Sequence, residues 1–452
     1  MRLIARFAKE NKNNYEIIDV FDKEVKRHHL DKNNPKIKTL TKKYPAAIWM
    51  ERKIRDEFGI EFEESFDNRP AIKHERFPKD IYPLRKDFKD EKIEFSKFTP
   101  YKYEEISGDS VFIVPVGPIH AGIIEPGHFH FSQAGEEILH LEVRHFYKYR
   151  AIEKMMENKN PLEITKIISR ISGNESIAYQ KAYFDILSKA SGIEISENLN
   201  KTHAILLEIE RIIHHLTDLG FIPNDAGFAA ALAYMGKLAE EARRIFKKVT
   251  NHRFGFDAIF NNEFDFSSLN NFLDYLKKEI KFFENWIEDI PSVWDRFDTT
   301  GRLTKEKAIK YGVVGVGARA SGIKIDTRDN DFYKKYGFEI QLGEKGEVAD
   351  RFRVRIKEIY NSIEIIKNML DVKKEEFEFS VKDGEYMSFV ESSIGELFMY
   401  LNIVDGKIDR FYVRDPSHIN WQAFHTTIYK DIIADFPLIN KSFDLSYAGN
   451  DL

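Results

Sequence analysis

The spacing of hydrophobic positions changes twice along the chain and divides it into a strand-rich start, a helix-rich centre and a strand-rich end. In residues 203–219 and 269–290, apolar side chains recur every three or four positions, which is typical of one face of an α-helix. Residues 229–249 and 347–370 have a similar pattern. Because four long amphipathic helices pack most simply as a bundle, we expect a helix bundle at the centre of the fold.

Short apolar runs predict strands before and after these helices. Residues 110–116 and 128–132 are expected to pair as a small antiparallel sheet. Residues 377–413 return to a strand pattern around turns that contain Gly384 and Gly406. The second part of the chain therefore combines small sheets with a helix bundle.

The first 93 residues predict a small unit of their own. Residues 46–58 have helical spacing, with Gly59 as the expected C-cap. Three short strands are expected at Leu3–Ile4, Tyr15–Val20 and Lys36–Leu40. The stretch Lys86–Lys97 is rich in Lys, Asp and Glu and is the expected linker. We therefore predict an α+β protein with a small N-terminal α+β domain, residues 1–93, and a second domain, residues 94–452.

Composition restricts the chemistry that the chain can perform. The 452 residues carry a formal charge of -5, which argues against an overall basic surface for nucleic acid. The sequence contains no Cys, so we expect no catalytic thiol and no iron-sulfur cluster bound by this chain. The N-terminus lacks a secretory pattern and no stretch approaches the roughly 18 apolar residues of a membrane span, which predicts a cytoplasmic protein that meets a membrane only through other subunits.

Two motifs have the pattern of a metal site but lack suitable ligands. Residues 170–175 read R-I-S-G-N-E and residues 415–420 read D-P-S-H-I-N. They resemble R-x-C-G-x-C and D-P-C-x-x-C of nickel-iron hydrogenase large subunits. By this resemblance, the four former metal-ligand positions are Ser172, Glu175, Ser417 and Asn420. Thiolate sulfur suits such a centre and hydroxyl or amide oxygen does not, so we predict no nickel-iron site.

The resemblance to known subunits covers nearly the whole chain. Residues 46–88 resemble the small hydrophilic subunit of respiratory complex I. Residues 112–452 resemble its quinone-site subunit and the large subunit of hydrogenase-4 and formate hydrogenlyase type membrane complexes. The order and spacing of several matching stretches carry this resemblance: Gly117–His120, Gly135–Glu136, Arg150–Lys154, Glu210–Leu216, Asp225–Gly227, Arg319–Gly322 and Glu391–Glu396. The fused arrangement indicates the hydrogenlyase branch and implies a hydrogenase-large-subunit-like second domain.

The same resemblance implies that the quinone site has been altered. In complex I, the loop G-P-x-H-P-x-x-H supplies a second His which, with an Asp on the helix bundle, contacts the quinone head. This chain keeps the first His as His120 and the Asp as Asp225, but Ile124 stands at the second His position. The quinone-contacting Tyr falls at Gly173. Two of the three contacts are missing, so quinone stays an open alternative and not an expected cofactor.

Proton transfer is the candidate chemistry that survives. His120 beside an acidic residue could carry a proton, because a neighbouring carboxylate moves the pKa of an imidazole across neutral pH. The alternative is that His120 only bonds a backbone carbonyl in a tight loop. Asp225 is the resemblance-implied partner, and Glu125 could relay a proton in the same cavity or simply be a solvated or capping group.

Two further groups of side chains have structural alternatives. Glu175 is expected to pair with Arg170 and so fill the old metal pocket, with Tyr179 able to hydrogen-bond there. Arg319 and Asp326 could line a pocket or clamp the fold as a buried pair.

A pair of adjacent histidines completes the candidates. His214 and His215 lie late in a helix, where one is expected to face the core and the other the solvent or the helix end. The two motif serines, Ser172 and Ser417, are expected to approach each other across one cavity, toward which the C-terminal tail packs.

The expected function is that of a large peripheral subunit on the cytoplasmic side of a membrane-bound, ion-translocating oxidoreductase complex. The expected partners are a small iron-sulfur subunit, a ferredoxin-like subunit and membrane subunits, with iron-sulfur clusters in these partners only. The isolated chain is expected to be inactive. Two alternatives stay open: a coupling subunit without redox chemistry, and a reductase of a small acceptor in the vacated pocket.

Overall fold

In a computed structural model of the protein, residues 1–89, 93–120 and 124–452 are described. The chain begins with an antiparallel sheet in the order β1-β2-β3, formed by β1 (Leu3–Glu10), β2 (Asn14–Phe21) and β3 (Val25–Asp31). Strands β4 (Lys36–Lys38) and β5 (Glu61–Glu63) pair in parallel. The strand β3 was not predicted, because its side chains are mostly polar and exposed.

The predicted N-terminal helix is confirmed. Helix α1 (Ala47–Phe58) packs against β1 and ends at Gly59, whose φ of 75° is the left-handed conformation that glycine adopts without steric cost. Part of the predicted linker, residues 90–92, lies outside the described residues.

The predicted sheet that opens the second part of the chain is also confirmed. Strands β6 (Val111–Val116), β7 (His128–Ala134) and β8 (Glu137–Arg144) form an antiparallel sheet in that order. Alternation along β7 buries Phe129 and Phe131 in the main core. The loop between β6 and β7 carries the predicted site residues on either side of residues 121–123, which lie outside the described residues.

Helices occupy the centre of the chain, and three more follow the last strand. In order, they are α2 (Ile152–Met156), α3 (Thr165–Ile168), α4 (Ser176–Ser191), α5 (Glu197–Asp225), α6 (Ala229–Thr250), α7 (Ala258–Asn261), α8 (Leu269–Glu288), α9 (Pro291–Phe297), α10 (Lys305–Tyr311), α11 (Gly315–Ala320), α12 (Asp331–Lys335), α13 (Val348–Met369), α14 (Pro416–Phe424), α15 (Phe436–Phe443) and α16 (Tyr447–Asp451). Helix α5 packs along α6 and α13, and α8 packs on α13, as a bundle of the four predicted helices requires. Helix α4 was missed.

The last sheet joins the two ends of the chain. Strands β9 (Gly384–Glu391), β10 (Glu396–Val404) and β11 (Lys407–Arg414) are antiparallel in the order β11-β10-β9. Residues 377–383 do not form the predicted strand. Phe7 of β1 stacks on Tyr412 of β11 with 4.3 Å between ring centroids, and Arg410 Nε donates to Ala8 O at 2.8 Å. The N-terminal sheet therefore shares a buried cluster with the C-terminal sheet.

No helix among the described residues is both long enough and apolar enough to cross a membrane. Helix α5, with 29 residues, has the length, but charged and polar side chains recur throughout it.

Candidate functional site

A cavity of about 460 Å³ brings the three proton-transfer candidates together. His120 and Glu125 enter it from the loop after β6, and Asp225 enters it from the C-terminal end of α5. Ile124 and Gly173, which stand at the two altered quinone-contact positions, line the same cavity. The expected return of the C-terminal tail is seen: Phe436, Pro437, Asn440, Lys441, Asp444, Leu445, Ser446, Tyr447 and Ala448 form its opposite wall.

The imidazole of His120 has one nitrogen engaged. Its Nε2 lies 2.8 Å from the carbonyl oxygen of Gly127, the backbone contact that sequence reasoning held open as the alternative role. This loop is tight at Gly117, where an added Cβ would lie 2.2 Å from that same oxygen. With Nε2–H donated to Gly127, the Nδ1 lone pair is the ring atom left to accept a proton. His120 makes no other hydrogen bond to the described residues.

Asp225 and Glu125 differ in how firmly they are held. Burial raises the pKa of Asp225, opposed by a hydrogen bond from Asn224 and by the positive charge of Lys441. Glu125 is fastened at both oxygens, by an ion pair with Lys148 and by the backbone N–H of Ala448 at 3.0 Å. Asp225 is therefore the carboxyl group better placed to exchange a proton, and Glu125 fixes the C-terminal tail against the loop.

Three of the four former metal-ligand positions lie together beside this cavity, and one of them, Ser172, lines it. Ser172 Oγ lies 3.2 Å from Ser446 Oγ, and the backbone N–H of Ser446 donates to Ser417 Oγ at 2.8 Å. Ser172 also donates to Glu175 at 3.3 Å. Ser172, Glu175 and Ser417 are almost fully buried. One tail residue, Ser446, therefore links the two motifs.

Asn420 has turned away from the other three positions. Its Oδ1 accepts from the backbone N–H of Val314 at 3.0 Å, and its Nδ2 donates to the carbonyl of the same residue at 3.2 Å. The remaining oxygen donors are two hydroxyls and one carboxyl group, which are poor ligands for nickel and low-spin iron. The residues of this pocket do not fit a nickel-iron centre.

A pair of carboxyl groups takes the place of the metal. Burial raises the pKa of Glu175 well above its ordinary value, and the neighbouring Asp415 carboxylate raises it further. Asp415 accepts a hydrogen bond from Tyr179 at 2.7 Å and one from the backbone N–H of Ser417 at 2.7 Å, as the N-cap of α14. The raised pKa favours the neutral form of Glu175 beside Asp415, and Tyr179 points into the pocket as its sequence position suggested.

The expected pairing of Glu175 with Arg170 is wrong. The guanidinium of Arg170 binds Asp257 at 2.8 Å and is 44% exposed. It also lies over the ring of Phe256. A protonated Glu175 needs no counter-ion, so burial of the carboxyl group does not draw Arg170 inward.

Arg319 and Asp326 do not line the cavity. Arg319 binds Glu358 at 2.7 Å, Glu391 at 2.7 Å and Asp326 at 3.0 Å, and each of these side chains is buried. The positive charge of Arg319 is compensated inside the core by Asp326 and by carboxylates on α13 and at the end of β9, and these contacts hold the chain near Gly322 against the bundle. The structure assigns these two residues to the clamp that was weighed as an alternative, and not to a pocket.

Sequence reasoning named His214 but missed the ion pairs that it makes behind the cavity. His214 Nδ1 lies 3.1 Å from Asp444 and 3.7 Å from Asp218. Burial opposes the charged imidazole, but Asp444 and Asp218 outweigh it and raise the pKa of His214. Both His214 and His215 are buried, so of the two alternatives for the second histidine the solvent-facing one is wrong, because the C-terminal tail covers this face of α5.

These three side chains could be mistaken for a metal site, since their ligand atoms lie within 4.8 Å of one another. Both carboxylates already have cationic partners: Arg355 binds Asp218 at 2.7 Å and Lys441 binds Asp444 at 3.4 Å. The cluster is therefore a charge-balanced network. The i, i+4 spacing of His214 and Asp218 on one helix face was the sequence signal that could have found it.

Fold and site together define a subunit of the complex I and nickel-iron hydrogenase type, without the thiolates of the latter. The family model of the respiratory-chain NADH dehydrogenase 49 Kd subunit matches residues 225–377 and 372–451. The model of the 30 Kd subunit of the same enzyme matches residues 5–94. The chain therefore belongs to the 49 Kd subunit family, with a 30 Kd-type segment fused before it.

Individual relatives agree with this assignment and confirm the resemblance inferred from the motifs. Formate hydrogenlyase subunit 5 of Escherichia coli is 28% identical over 94% of this chain and 78% of its own length. Hydrogenase-4 component G of the same organism is 27% identical over 93% of this chain and 77% of its own. An NADH-quinone oxidoreductase subunit of Dehalococcoides mccartyi is 30% identical, covering 74% of this chain and 96% of the relative.

A solved structure supports the fold. A chain in the membrane-bound sulfane sulfur reductase, an archaeal respiratory membrane complex, superposes with a TM-score of 0.67. The match covers 76% of this chain and 99% of that chain at 21% identity. The α+β architecture predicted from the sequence is thus confirmed.

Proposed function

We propose that this protein is the large peripheral subunit of a membrane-bound, ion-translocating oxidoreductase complex that works without a nickel-iron centre. The observation that carries the proposal is a family match along both parts of the chain, combined with a pocket in which hydroxyl and carboxyl groups replace thiolates. An iron-sulfur partner would deliver electrons, since this chain has no Cys to hold a cluster. Membrane subunits would anchor it on the cytoplasmic face.

Proton handling in the cavity is the contribution we assign to this chain. His120 and Asp225 open onto the same space, and Lys441 and Asp444 line both this cavity and a second one of about 250 Å³. His214 lies in the second cavity in contact with Asp444. A proton taken up at Asp225 or His120 would change the field at Lys441, and the Asp444–His214 contact can pass that change to the bundle.

Isolation of the native assembly tests the main proposal. After mild detergent extraction and affinity purification through this chain, we expect an iron-sulfur protein and integral membrane proteins at equal stoichiometry, and iron without stoichiometric nickel. Recovery of the chain without such partners, or with one nickel per chain, would contradict it.

Turnover of the assembled complex tests the role of the cavity. Asp225→Asn is expected to lower turnover at least tenfold and to flatten its pH profile, while leaving the composition of the complex unchanged. Asp257→Asn is the matched control, because that carboxylate pairs with Arg170 outside the cavity. Equal activity of the two variants would exclude a proton role for Asp225.

A non-redox coupling subunit is the second candidate. It is favoured by the replacement of quinone-contact positions by Ile124 and Gly173 and by the carboxyl pair in the old metal pocket. Quinone-dependent turnover that disappears in Asp225→Asn would remove this candidate. Assembly and ion transport that proceed without any electron acceptor would favour it over the first.

A further inference from the structure

A second large cavity lies away from the proposed active region and has an unbalanced charge. It measures about 510 Å³ and lies between the irregular segment after β5, the end of α1 and strand β8. Six arginine and lysine side chains line it, against three carboxylates. Its size is that of a pocket for a small molecule.

The carboxylates of this cavity are already committed. Asp56 Oδ2 accepts the backbone N–H groups of residues 71, 72 and 73 at 2.7, 2.9 and 3.2 Å. Glu75 pairs with Arg144 at 2.5 Å, and Glu61 pairs with Lys36 at 3.2 Å. Among the described residues, none of the three forms an ion pair with a further cation of the cavity, although the charge of Asp56 acts on Lys73 from beyond ion-pair distance.

Four of the six cations have no ion pair within 4 Å among the described residues. The two that are paired are Arg144, with Glu75, and Arg69, with Asp67 at 2.8 Å and Glu142 at 2.8 Å. The four others are Arg55, Lys73, Lys79 and Lys102. The cavity therefore contains four cations that no carboxylate of the described residues pairs with at contact distance.

Lys73 is the most informative of the four because it is only 7% exposed. Its ammonium group donates to the carbonyl of Lys79 at 2.9 Å and lies 4.1 Å from the ring centroid of Tyr82. Burial lowers the pKa of Lys73 to about 8. Asp56 opposes this shift only from a distance, and an ammonium group held out of water without an ion-pair partner is unfavourable unless an anion completes its environment.

We propose that this cavity binds a small, multiply charged oxyanion of the phosphate class, with Lys73 at its inner end and Arg55, Lys79 and Lys102 around it. A phosphate-type ligand matches four cations better than a single carboxylate, because its oxygens accept several charge-assisted hydrogen bonds at once. The acidic surface of a folded partner does not reach a side chain as recessed as Lys73. The inference is independent of the proposed function.

Calorimetric titration of the full chain with pyrophosphate tests the site. We expect saturable binding of one pyrophosphate per chain, weakened at least tenfold in Lys73→Met, which keeps the length and packing of the side chain but removes the charge. Lys334→Met is the control, because Lys334 lies on the exposed surface of α12, where it pairs with Asp329 just before that helix. Equal affinity in wild type and Lys73→Met, or no saturable binding of pyrophosphate, inorganic phosphate or ATP, would overturn the proposal.

Chemical labelling gives a readout that needs no variant. Because its pKa lies near 8, Lys73 is expected to react with an amine-acylating reagent at that pH, and pyrophosphate is expected to protect it at least fivefold, as measured by mass spectrometry. Sulfate at equal ionic strength separates specific protection from screening, and equal protection by both salts would contradict a phosphate site. Shielding of Lys73 by a polypeptide partner in the assembled complex, without phosphate, would also overturn it.

Discussion

Replacing Glu175 by glutamine tests whether the carboxyl group that stands in the former metal pocket is neutral in the folded protein. Glu175 is fully buried, and burial together with Asp415 and Glu210 raises its pKa above the ordinary 4.5. In the unfolded chain the same group ionises near that ordinary value. The folded state therefore binds one more proton than the unfolded state over the pH range between the two pKa values.

Proton linkage gives the sign and size of the effect. Where the folded protein holds the extra proton, the free energy of unfolding falls by about 1.4 kcal/mol for each unit of rising pH. This contribution is greatest below pH 4.5 and is lost as pH rises through the folded pKa. Glutamine has the same shape, cannot ionise and can donate a hydrogen bond from its amide to Asp415. Glu175→Gln is therefore expected to lack this pH-dependent contribution to the free energy of unfolding.

The assay is urea unfolding of wild type and variant at half-unit steps from pH 5 to 8. The difference between the two free energies of unfolding isolates Glu175, because Glu210 and Glu391, whose pKa values are also raised to about 7, are present in both proteins. Through the lower part of this range, we expect the free energy of unfolding of Glu175→Gln to rise relative to that of wild type by about 1.4 kcal/mol per pH unit.

Two outcomes would refute the reasoning. A difference that does not change with pH would mean that Glu175 does not take up a proton on folding, and a difference of opposite slope would mean that it is ionised in the pocket. Tyr179→Phe is the control, since it removes the hydrogen bond to Asp415 without removing a group that titrates in this range. The difference in free energy of unfolding between Tyr179→Phe and wild type is expected to be the same at every pH.

Three further predictions follow from the buried network and the tail. Arg319→Met should lower the free energy of unfolding by about 3–5 kcal/mol, because it leaves Glu358 and Glu391 buried without their partner; Arg170→Met, at an exposed pair, should change it by less than about 1 kcal/mol in the same urea assay. His214→Gln should lower the free energy of unfolding by about 1–3 kcal/mol below pH 6.5, where the wild-type imidazole is charged in both the folded and the unfolded protein. This destabilisation should shrink as pH rises through the raised pKa of the folded state, and a destabilisation that grows with pH would contradict the pairing with Asp444. Gly449→Ala should destabilise by about 1–3 kcal/mol, since its Cβ would lie 2.0 Å from Asp415 Oδ2, whereas Gly236→Ala on α6, with nothing within 4 Å, should stabilise by about 0.5–1 kcal/mol in thermal unfolding.

The predicted elements succeeded where local chemistry decides structure. Helix α1 begins within one residue of its prediction and ends where predicted, because Gly59 takes the left-handed C-cap that the sequence indicated. Helix α4 was missed because it is buried on nearly all sides and therefore lacks the amphipathic period on which the prediction depended. The strand expected from residue 377 is absent because Phe377 and Phe379 are used to pack on Phe184 of α4, a contact that local pattern does not reveal.

The residues of the candidate site likewise fall into those that the sequence identified and those that it did not. The motifs identified His120, Glu125, Asp225 and Ser172, and the structure places them around one cavity, with Ser417 buried behind Ser446. The sequence named His214 as a candidate but did not identify its partner Asp444, which lies far away along the chain. It did not identify Lys73 either, because the lack of an ion-pair partner is visible only in the folded protein.

The sequence by itself determined the family, the absence of thiolate ligands and the main helices, because residue identity and short-range periodicity carry that information. Only the tertiary structure decided that Glu175 lies beside Asp415 and not beside Arg170, and that Lys73 is buried without a carboxylate. The physical reason is that the charge state of a buried group depends on every charge and dipole packed around it, and these come from distant parts of the chain.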